Sequence, residues 1–294
     1  MTLGEGALLI QEPMSRHTSF KIGGPADALA KPASVAELKA CLAFAHEAGL
    51  GVFFLAGGTN LLVKDGGIRG LVVKLEGEFK DIAFQGSRLH AGAGANLALI
   101  AKKAAVEGLS GLEFAVGIPG TLGGGLVMNA GAHGGELSQV VRSIGMLDAA
   151  RESVLEIPAS QARFEYRSSR FKGTGELLLW ADMELKPGLR QDIDARMEEV
   201  LSKRKASQPI HLPNAGCVFK NPPGGSAGRL IEEAGLKGRR VGGAVISDLH
   251  ANFVVNTGGA KASDVLALME EARLKVKERA AVDLENEVLI VGEA

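Results

Sequence analysis

Two glycine-rich stretches hold the backbone that could best meet a charged ligand. The longer runs from Gly108 to Glu136 and contains Gly117-Ile118-Pro119-Gly120-Thr121-Leu122-Gly123-Gly124-Gly125, then Asn129-Ala130-Gly131. The shorter is Ala56-Gly57-Gly58-Thr59-Asn60-Leu61-Leu62-Val63. Without a Cβ, glycine takes φ > 0 and lets N–H groups converge at close range, which suits a diphosphate; Thr59 and Asn60 add side-chain hydrogen-bonding groups. Ordering such loops costs roughly 0.5–1 kcal/mol per glycine relative to alanine in regular structure, and a tightly held cofactor would offset that loss. Plain turns between short strands are the competing reading. Neither stretch fits G-x-x-x-x-G-K-[ST], and neither sits in the strand-to-helix setting of G-x-G-x-x-G, so a P-loop enzyme and an ordinary dinucleotide fold both lose ground.

Three further places carry groups with chemistry. The segment Phe164-Glu165-Tyr166-Arg167-Ser168-Ser169-Arg170-Phe171-Lys172 holds the only tyrosine and the cations Arg167, Arg170 and Lys172; it is either a solvated surface or an anion site. Cys217 stands in Pro213-Asn214-Ala215-Gly216-Cys217-Val218-Phe219-Lys220-Asn221, where a preceding glycine and following polar residues are poor company for a core thiol. Glu287 heads the apolar run that closes the chain. It makes a strand-edge ion pair, or it is a carboxyl whose burial lifts its pKa above the reference of about 4.3.

Composition limits the partners. Hydrophobic residues are 46% and charged residues 23% of 294, as in a globular protein large enough for more than one core. Lys+Arg 33 against Asp+Glu 34 leave a net charge of −1, so no global field draws the chain to nucleic acid or an anionic membrane, and an anion must be bound locally. Met1 to Pro13 lacks a basic segment followed by a long apolar run, and no stretch has the roughly 18 apolar residues of a membrane span; a cytoplasmic protein is expected. Cys41 and Cys217 lie far apart in unlike contexts, against a disulfide framework or a four-ligand metal site.

The elements that must position these groups follow from periodicity. Ser34-Val35-Ala36-Glu37 has capping-box spacing and opens a helix with Val35, Leu38, Leu42 and Ala45 on one face, stopped at Gly49. Cys41 falls in that stripe as a small core hydrophobe. Strands at Ala26 to Ala30 and Val52 to Leu55 flank the helix as a βαβ unit. Short strands from Leu71 to Ala91 precede a helix from Asn96 carrying Leu97, Ile100, Ala101 and Ala104, and strands return at Val140 to Asp148, Ser153 to Ile157 and Leu177 to Leu185. A helix with Ile193, Met197, Val200 and Leu201 reads as a linker, with Lys203, Arg204 and Lys205 complementing its dipole. Beyond it come a helix from Ser226, a strand at Phe253 to Val255, a helix with Val265, Leu268, Met269, Ala272 and Val276, and a final strand from Leu284 to Gly292. The class is α+β.

Taken in order, the two glycine loops, Tyr166-Arg167, the Cys217 segment and Glu287 resemble the UDP-N-acetylenolpyruvoylglucosamine reductases (UDP-N-acetylmuramate dehydrogenases) over nearly the whole chain. The chain lacks a counterpart of the extra tyrosine-bearing loop of one branch and so resembles the shorter type. The resemblance implies an FAD-binding domain of the vanillyl-alcohol-oxidase type over 16–187, in subdomains of about 16–75 and 76–187. A linker helix over 188–206 and a smaller α/β substrate-binding domain over 207–294 would follow. Its implied FAD contacts are Gly57, Gly58, Thr59, Asn60, Leu61, Gly117, Ile118, Pro119, Gly120, Thr121, Gly123, Gly124, Asn129 and Gly131. Tyr166, Arg204, Lys205, Gln208, Gly216, Asn221, His250 and Asn252 would hold the UDP-sugar. Three positions depart from the family: Cys217 stands where serine is usual, Ser207-Gln208-Pro209 where Lys-Gln-Pro is common, and His133 where tyrosine is common.

The implied reaction is reduction of FAD by NADPH, then transfer from flavin N5 to the methylene carbon of UDP-N-acetylglucosamine enolpyruvate, in peptidoglycan precursor synthesis. Arg167 and Glu287 would stabilise the enolate and Cys217 would protonate the neighbouring carbon. A thiol with a reference pKa of about 8.5 is mostly protonated at neutrality and is a far stronger acid than an alcohol. No metal is implied, and a monomer is expected. A flavin oxidase of the same superfamily, or a non-catalytic nucleotide-binding module, are the alternatives; the first leaves Cys217 and Glu287 without a task, and the second needs no flavin.

Overall fold

The computed structural model describes Gly4, residues 6–148 and residues 153–294; residues 1–3 and 5 of the Met1 to Pro13 segment lie outside that range. In chain order the main elements are β1 (Leu8–Pro13), β2 (Pro25–Ala30), α1 (Val35–Glu47), β3 (Val52–Phe54), β4 (Leu61–Val63), β5 (Ile68–Val73), β6 (Ile82–Gln85) and β7 (Arg88–Gly92). Then come α2 (Leu97–Val106), α3 (Leu122–Val127), β8 (Val141–Asp148), β9 (Ser153–Pro158), β10 (Leu177–Glu184) and α4 (Arg190–Ser207). The chain closes with α5 (Ala227–Glu233), β11 (Arg240–Val241), β12 (Ala244–Ile246), β13 (Val254–Asn256), α6 (Ala262–Ala280) and β14 (Leu289–Val291). No helix among the described residues is long and apolar enough to cross a membrane.

The residues gather into two compact units, each built from separated stretches. One comprises residues up to Leu9, Leu29–Gly57 and Leu71–Lys203; the other comprises Ile10–Ala28, Gly58–Gly70 and Arg204–Ala294. This differs from divisions expected at 187/188 and 206/207, for a packing reason. Ile193 and Met197 of α4 belong to the core of the first unit, so most of the helix read as a linker is a packed element. Phe20, Ile22 and Leu62, from the N-terminal half of the sequence, join the core of the second unit with Val218, Ile231, Leu268 and Val288.

In the first unit the antiparallel sheet β9-β8-β10-β7-β6 buries Leu89, Ile144, Leu178 and Ala181 with Ile100 and Ala104 of α2 and Leu122 and Leu126 of α3. Asn96 starts α2 by accepting from the Leu99 N–H at 2.9 Å, which satisfies a donor the helix itself cannot. Within the sheet Gly145 lies opposite Trp180; a Cβ there would fall 2.0 Å from the indole, so the ring occupies the space a side chain would need. Ser34 caps α1, accepting from Glu37 N–H at 3.2 Å. Cys41 is fully buried in that helix, and burial, with Glu37 adding to it, pushes its thiol up to about 11. The expected βαβ unit is present with β5 inserted: the sheet order is β1-β2-β5-β3, and β3 pairs in parallel with β5.

In the second unit α6 buries Val265, Leu268, Met269, Ala272 and Val276, the face its period foretold. Its first N–H groups are capped from far away in sequence, by Asp65 Oδ1 on Ala262 at 2.8 Å and Oδ2 on Ser263 at 3.1 Å. The sheet β11-β12-β13 is antiparallel. The final run forms a strand only over β14, which pairs in parallel with β4, Leu289 opposite Leu61. Glu287 therefore precedes the strand rather than heading it.

Candidate active site

The glycine loops meet in the first unit through their backbones. A Cβ on Gly57 would lie 2.6 Å from Gly120 Cα and 3.3 Å from Thr121 N, so only glycine allows this approach. Gly120 takes φ +118°. The N–H groups of Gly57, Gly120 and Thr121 donate to no acceptor among the described residues. Two adjoining backbones with unspent donors fit the diphosphate of FAD. Gly123 and Gly124, expected beside them, pack closely at the start of α3. Gly123 N–H donates to Ala93 O at 2.8 Å, docking the helix start onto the β7–α2 connection, and Gly124 N–H donates to Oγ1 of Thr121, the helix's own cap residue, at 3.5 Å; Cβ atoms on them would meet Ala93 and Ala56 side chains at 3.0 Å. Ile118 N–H is likewise engaged, with Ala115 O at 3.0 Å, while Gly117, Ile118 and Pro119 form the chain leading into the contact.

Arg167 is half-buried and sits at φ +54°, an unusual conformation for a side-chain-bearing residue that marks a candidate functional position. Its Nη1 donates to Gly131 O at 2.9 Å, and its guanidinium lies over the Tyr166 ring at 5.5 Å. Asn129, 2% exposed, donates from Nδ2 to Glu165 O at 3.3 Å and accepts from Ser138 N–H at 3.1 Å. Asn129 and Gly131 thus hold the arginine loop. Tyr166 is 61% exposed, reachable by substrate.

In the second unit Cys217 and Glu287 come together through one hydrogen bond. Glu287 N–H donates to the carbonyl of Val218 at 2.9 Å, so the acid is anchored one residue from the thiol. Both side chains are half-buried. Asn214 closes a turn before Cys217, Oδ1 accepting from Gly216 N–H at 2.9 Å, and Gly216 takes φ +78° with open space where a Cβ would be. Asn60, expected to bind FAD, donates from Nδ2 to Glu287 O at 3.0 Å, and its own carbonyl accepts from Leu289 N–H at 3.1 Å. Its side chain therefore positions the acid. Leu61 is 5% exposed in β4 and contributes backbone pairing, not a ligand atom. Gly58, at φ +61°, leaves no room for a Cβ, which would meet His17 O at 2.1 Å. Thr59 follows it at an intermediate exposure.

Arg204 is half-buried. Burial pushes its guanidinium below the usual arginine range, and interaction with Cys217 pulls it back, which puts a cation within electrostatic reach of the thiol. Lys205 is exposed and Gln208 half-buried at the end of α4. Asn221 accepts the Ala227 N–H at the start of α5 at 3.0 Å. His250 is held down mainly by burial; its Nδ1 accepts from Asn252 N–H at 3.2 Å, leaving the proton of the neutral ring on Nε2. Asn252, expected at the UDP-sugar, is 1% exposed and clamps Phe219, Nδ2 donating to its carbonyl at 2.8 Å and Oδ1 accepting its N–H at 3.0 Å. The residues that sequence reasoning passed over are Ser19, which donates to both the Gly58 and Asn214 carbonyls, and Asp65. The only signal for either was a polar side chain in a tight, glycine-flanked segment.

Known proteins resemble the chain over nearly its whole length. Residues 26–157 match the family model for an FAD binding domain, and residues 208–291 match that for the UDP-N-acetylenolpyruvoylglucosamine reductase C-terminal domain. The chain is 49% identical over 289 residues to UDP-N-acetylenolpyruvoylglucosamine reductase 2 of Symbiobacterium thermophilum, covering 98% of this chain and 93% of that one. It is 47% identical to the reductase of Caldanaerobacter subterraneus subsp. tengcongensis, covering 99% and 96%. Among solved structures, that of UDP-N-acetylenolpyruvylglucosamine reductase from Thermus caldophilus superposes with a TM-score of 0.83 at 37% identity, over 96% of this chain and 97% of that one.

Proposed function

The chain belongs to the UDP-N-acetylenolpyruvoylglucosamine reductase family, and from that premise we propose that Arg167, Glu287 and Cys217 carry the reduction of UDP-N-acetylglucosamine enolpyruvate to UDP-N-acetylmuramate. The enzyme is an FAD-dependent oxidoreductase of peptidoglycan precursor synthesis, with an FAD-binding domain of the vanillyl-alcohol-oxidase type and a smaller α/β domain. Bound FAD would supply hydride transfer between NADPH and the enolpyruvyl double bond. The unspent N–H donors of Gly57, Gly120 and Thr121 support these residues as the backbone that would hold its diphosphate.

The protein's own groups manage charge and protons. Arg167 meets the substrate carboxylate, whose charge grows as the enolate forms, and Glu287 in its protonated form donates a hydrogen bond to the same charge; both contacts strengthen in the transition state. The Cys217 thiol then gives its proton to the carbon beside the carboxylate and regains one from solvent. Tyr166, Lys205, Gln208, Gly216, Asn221 and the Nε2–H of His250 remain the contacts for the UDP-sugar. The reaction is placed in the cytoplasm, where NADPH and UDP-sugars meet, with a monomer as the working unit.

The observation that carries this reading is the Glu287 N–H to Val218 carbonyl bond at 2.9 Å, which fixes an acid beside a thiol. The test is NADPH oxidation by FAD-loaded protein with and without the enolpyruvyl sugar. Oxidation that depends on the sugar supports it, and sugar-independent oxidation at the same rate sinks it.

A further inference from the structure

A closed circuit joins the glycine loop to both proton-handling segments, all within the second unit. Ser19 N–H donates to Gly58 O at 3.0 Å. Ser19 Oγ donates to Asn214 O at 2.6 Å, with Gly58 O a longer second acceptor at 3.4 Å. From Asn214 the chain runs through Gly216 and Cys217 to Val218, whose carbonyl accepts Glu287 N–H at 2.9 Å. Glu287 O accepts from Asn60 Nδ2 at 3.0 Å, and Thr59 returns the chain to Gly58. Side chains supply two of the closures, those of Ser19 and Asn60, and the Ser19 hydroxyl makes the only one of them on the Cys217 side.

We propose that Ser19 is a positioning residue: by bonding Gly58 and Asn214 at once, it fixes the distance from the glycine loop to the thiol of Cys217, as Asn60 fixes that loop to Glu287. The physical reason lies in Gly216. A residue at φ +78° with open space around its Cα is a natural pivot, so the turn that carries Cys217 needs a fixed point on its N-terminal side. Asn214 supplies part of it locally, through Nδ2 donating to Leu212 O at 2.7 Å and Pro209 O at 3.2 Å, and Pro213 O accepts from Asn256 N–H of β13 at 2.9 Å, but none of these bonds reaches the glycine loop. The bond to Ser19 ties it to the loop that faces the cofactor. The inference rests on the assignment of Cys217 as proton donor for its catalytic consequence, not for its structural one.

The test compares Ser19→Ala with Ser19→Thr, which keeps the hydroxyl. In cofactor-free protein, alkylation of Cys217 by iodoacetamide should be about fivefold faster in Ser19→Ala, the factor expected on losing one net hydrogen bond, and near wild type in Ser19→Thr; Cys41, buried in α1, is the internal control. In FAD-loaded protein, Ser19→Ala should keep the flavin spectrum and the rate of bleaching by NADPH, while its reoxidation by the enolpyruvyl sugar slows about tenfold or more and recovers in Ser19→Thr. Unchanged alkylation and unchanged reoxidation in Ser19→Ala would overturn the proposal. Cys217→Ala separates the two readings: if that variant reoxidises like wild type, the proton-donor assignment fails, while the alkylation rates still decide whether Ser19 holds the turn. Should Ser19→Ala not accumulate folded, Ser19→Cys, nearly isosteric but a much weaker donor, is read by hydrogen exchange at Gly216 and Val218, where unchanged protection counts against the proposal.

Discussion

The amide of Asn60 donates to the backbone carbonyl of Glu287 at 3.0 Å, across 227 residues of sequence. A residue of the glycine loop thus holds the backbone of Glu287, the carboxyl proposed to stabilise the enolate. Asn60→Ala should slow reoxidation by the enolpyruvyl sugar by about five- to tenfold, the equivalent of about 1 kcal/mol for one net hydrogen bond, with little change in bleaching by NADPH. Stopped-flow absorbance of the two half-reactions checks it, and equal slowing of both would place Asn60 on the cofactor instead.

Cys217→Ser should retain turnover, and Cys217→Ala should lose about a hundredfold or more in reoxidation, the lower end for a positioned general acid, with NADPH reduction intact. Substrate should protect Cys217 from alkylation in the wild type. Fast reoxidation in the alanine variant would move the proton to another group.

Arg167→Lys keeps the charge and loses the planar fork that grips a carboxylate while its Nη1 stays on Gly131. Reoxidation should fall about a hundredfold, the scale seen on removing one transition-state donor, with FAD still bound. Release of FAD with unchanged chemistry would refute the assignment.

Asp65 links stability to pH. Burial raises its pKa, but the donors of Ala262 and Ser263, with Lys261 nearby, outweigh it and hold the carboxyl below 3.8. A depressed folded pKa means the contribution is complete above the unfolded value of about 3.9 and is lost as pH falls through the folded one. Asp65→Asn should therefore cost about 1 kcal/mol at neutral pH, as for loss of a helix cap, with the exposed charge adding little. Urea midpoints of wild type and variant should converge as the pH falls through the lowered folded pKa of Asp65; a gap that widens there contradicts the cap.

Asn252→Leu leaves the N–H and carbonyl of Phe219 without partners in the core. A loss of about 2–4 kcal/mol is expected, two buried polar groups being orphaned. Thermal denaturation measures it, and a near-neutral variant would return Asn252 to the substrate site.

Local signals were enough for the helices. Ser34, Asn96 and Ser226 each accept the N–H three residues on, and such caps together with a 3.6-residue period are written within a few neighbours. The amides were not legible. Asn60, Asn129 and Asn252 all read as ligands because an asparagine near a glycine loop or a thiol offers the right atoms, yet their partners lie 227, 36 and 33 residues away. No window on the sequence contains both ends. The unit boundaries escaped for the same reason, since Phe20, Ile22 and Leu62 enter a core whose other members follow residue 214.

The tryptophan seated on Gly145 is the only one in the chain, and Tyr166, the only tyrosine, lies in the same unit. Intrinsic ultraviolet emission is thus blind to the unit that carries Cys217 and Glu287. A melting curve followed by that emission reports the sheet around Trp180, and a loss of order confined to residues 204–294 would pass unrecorded unless far-ultraviolet dichroism or Cys217 labelling were followed beside it.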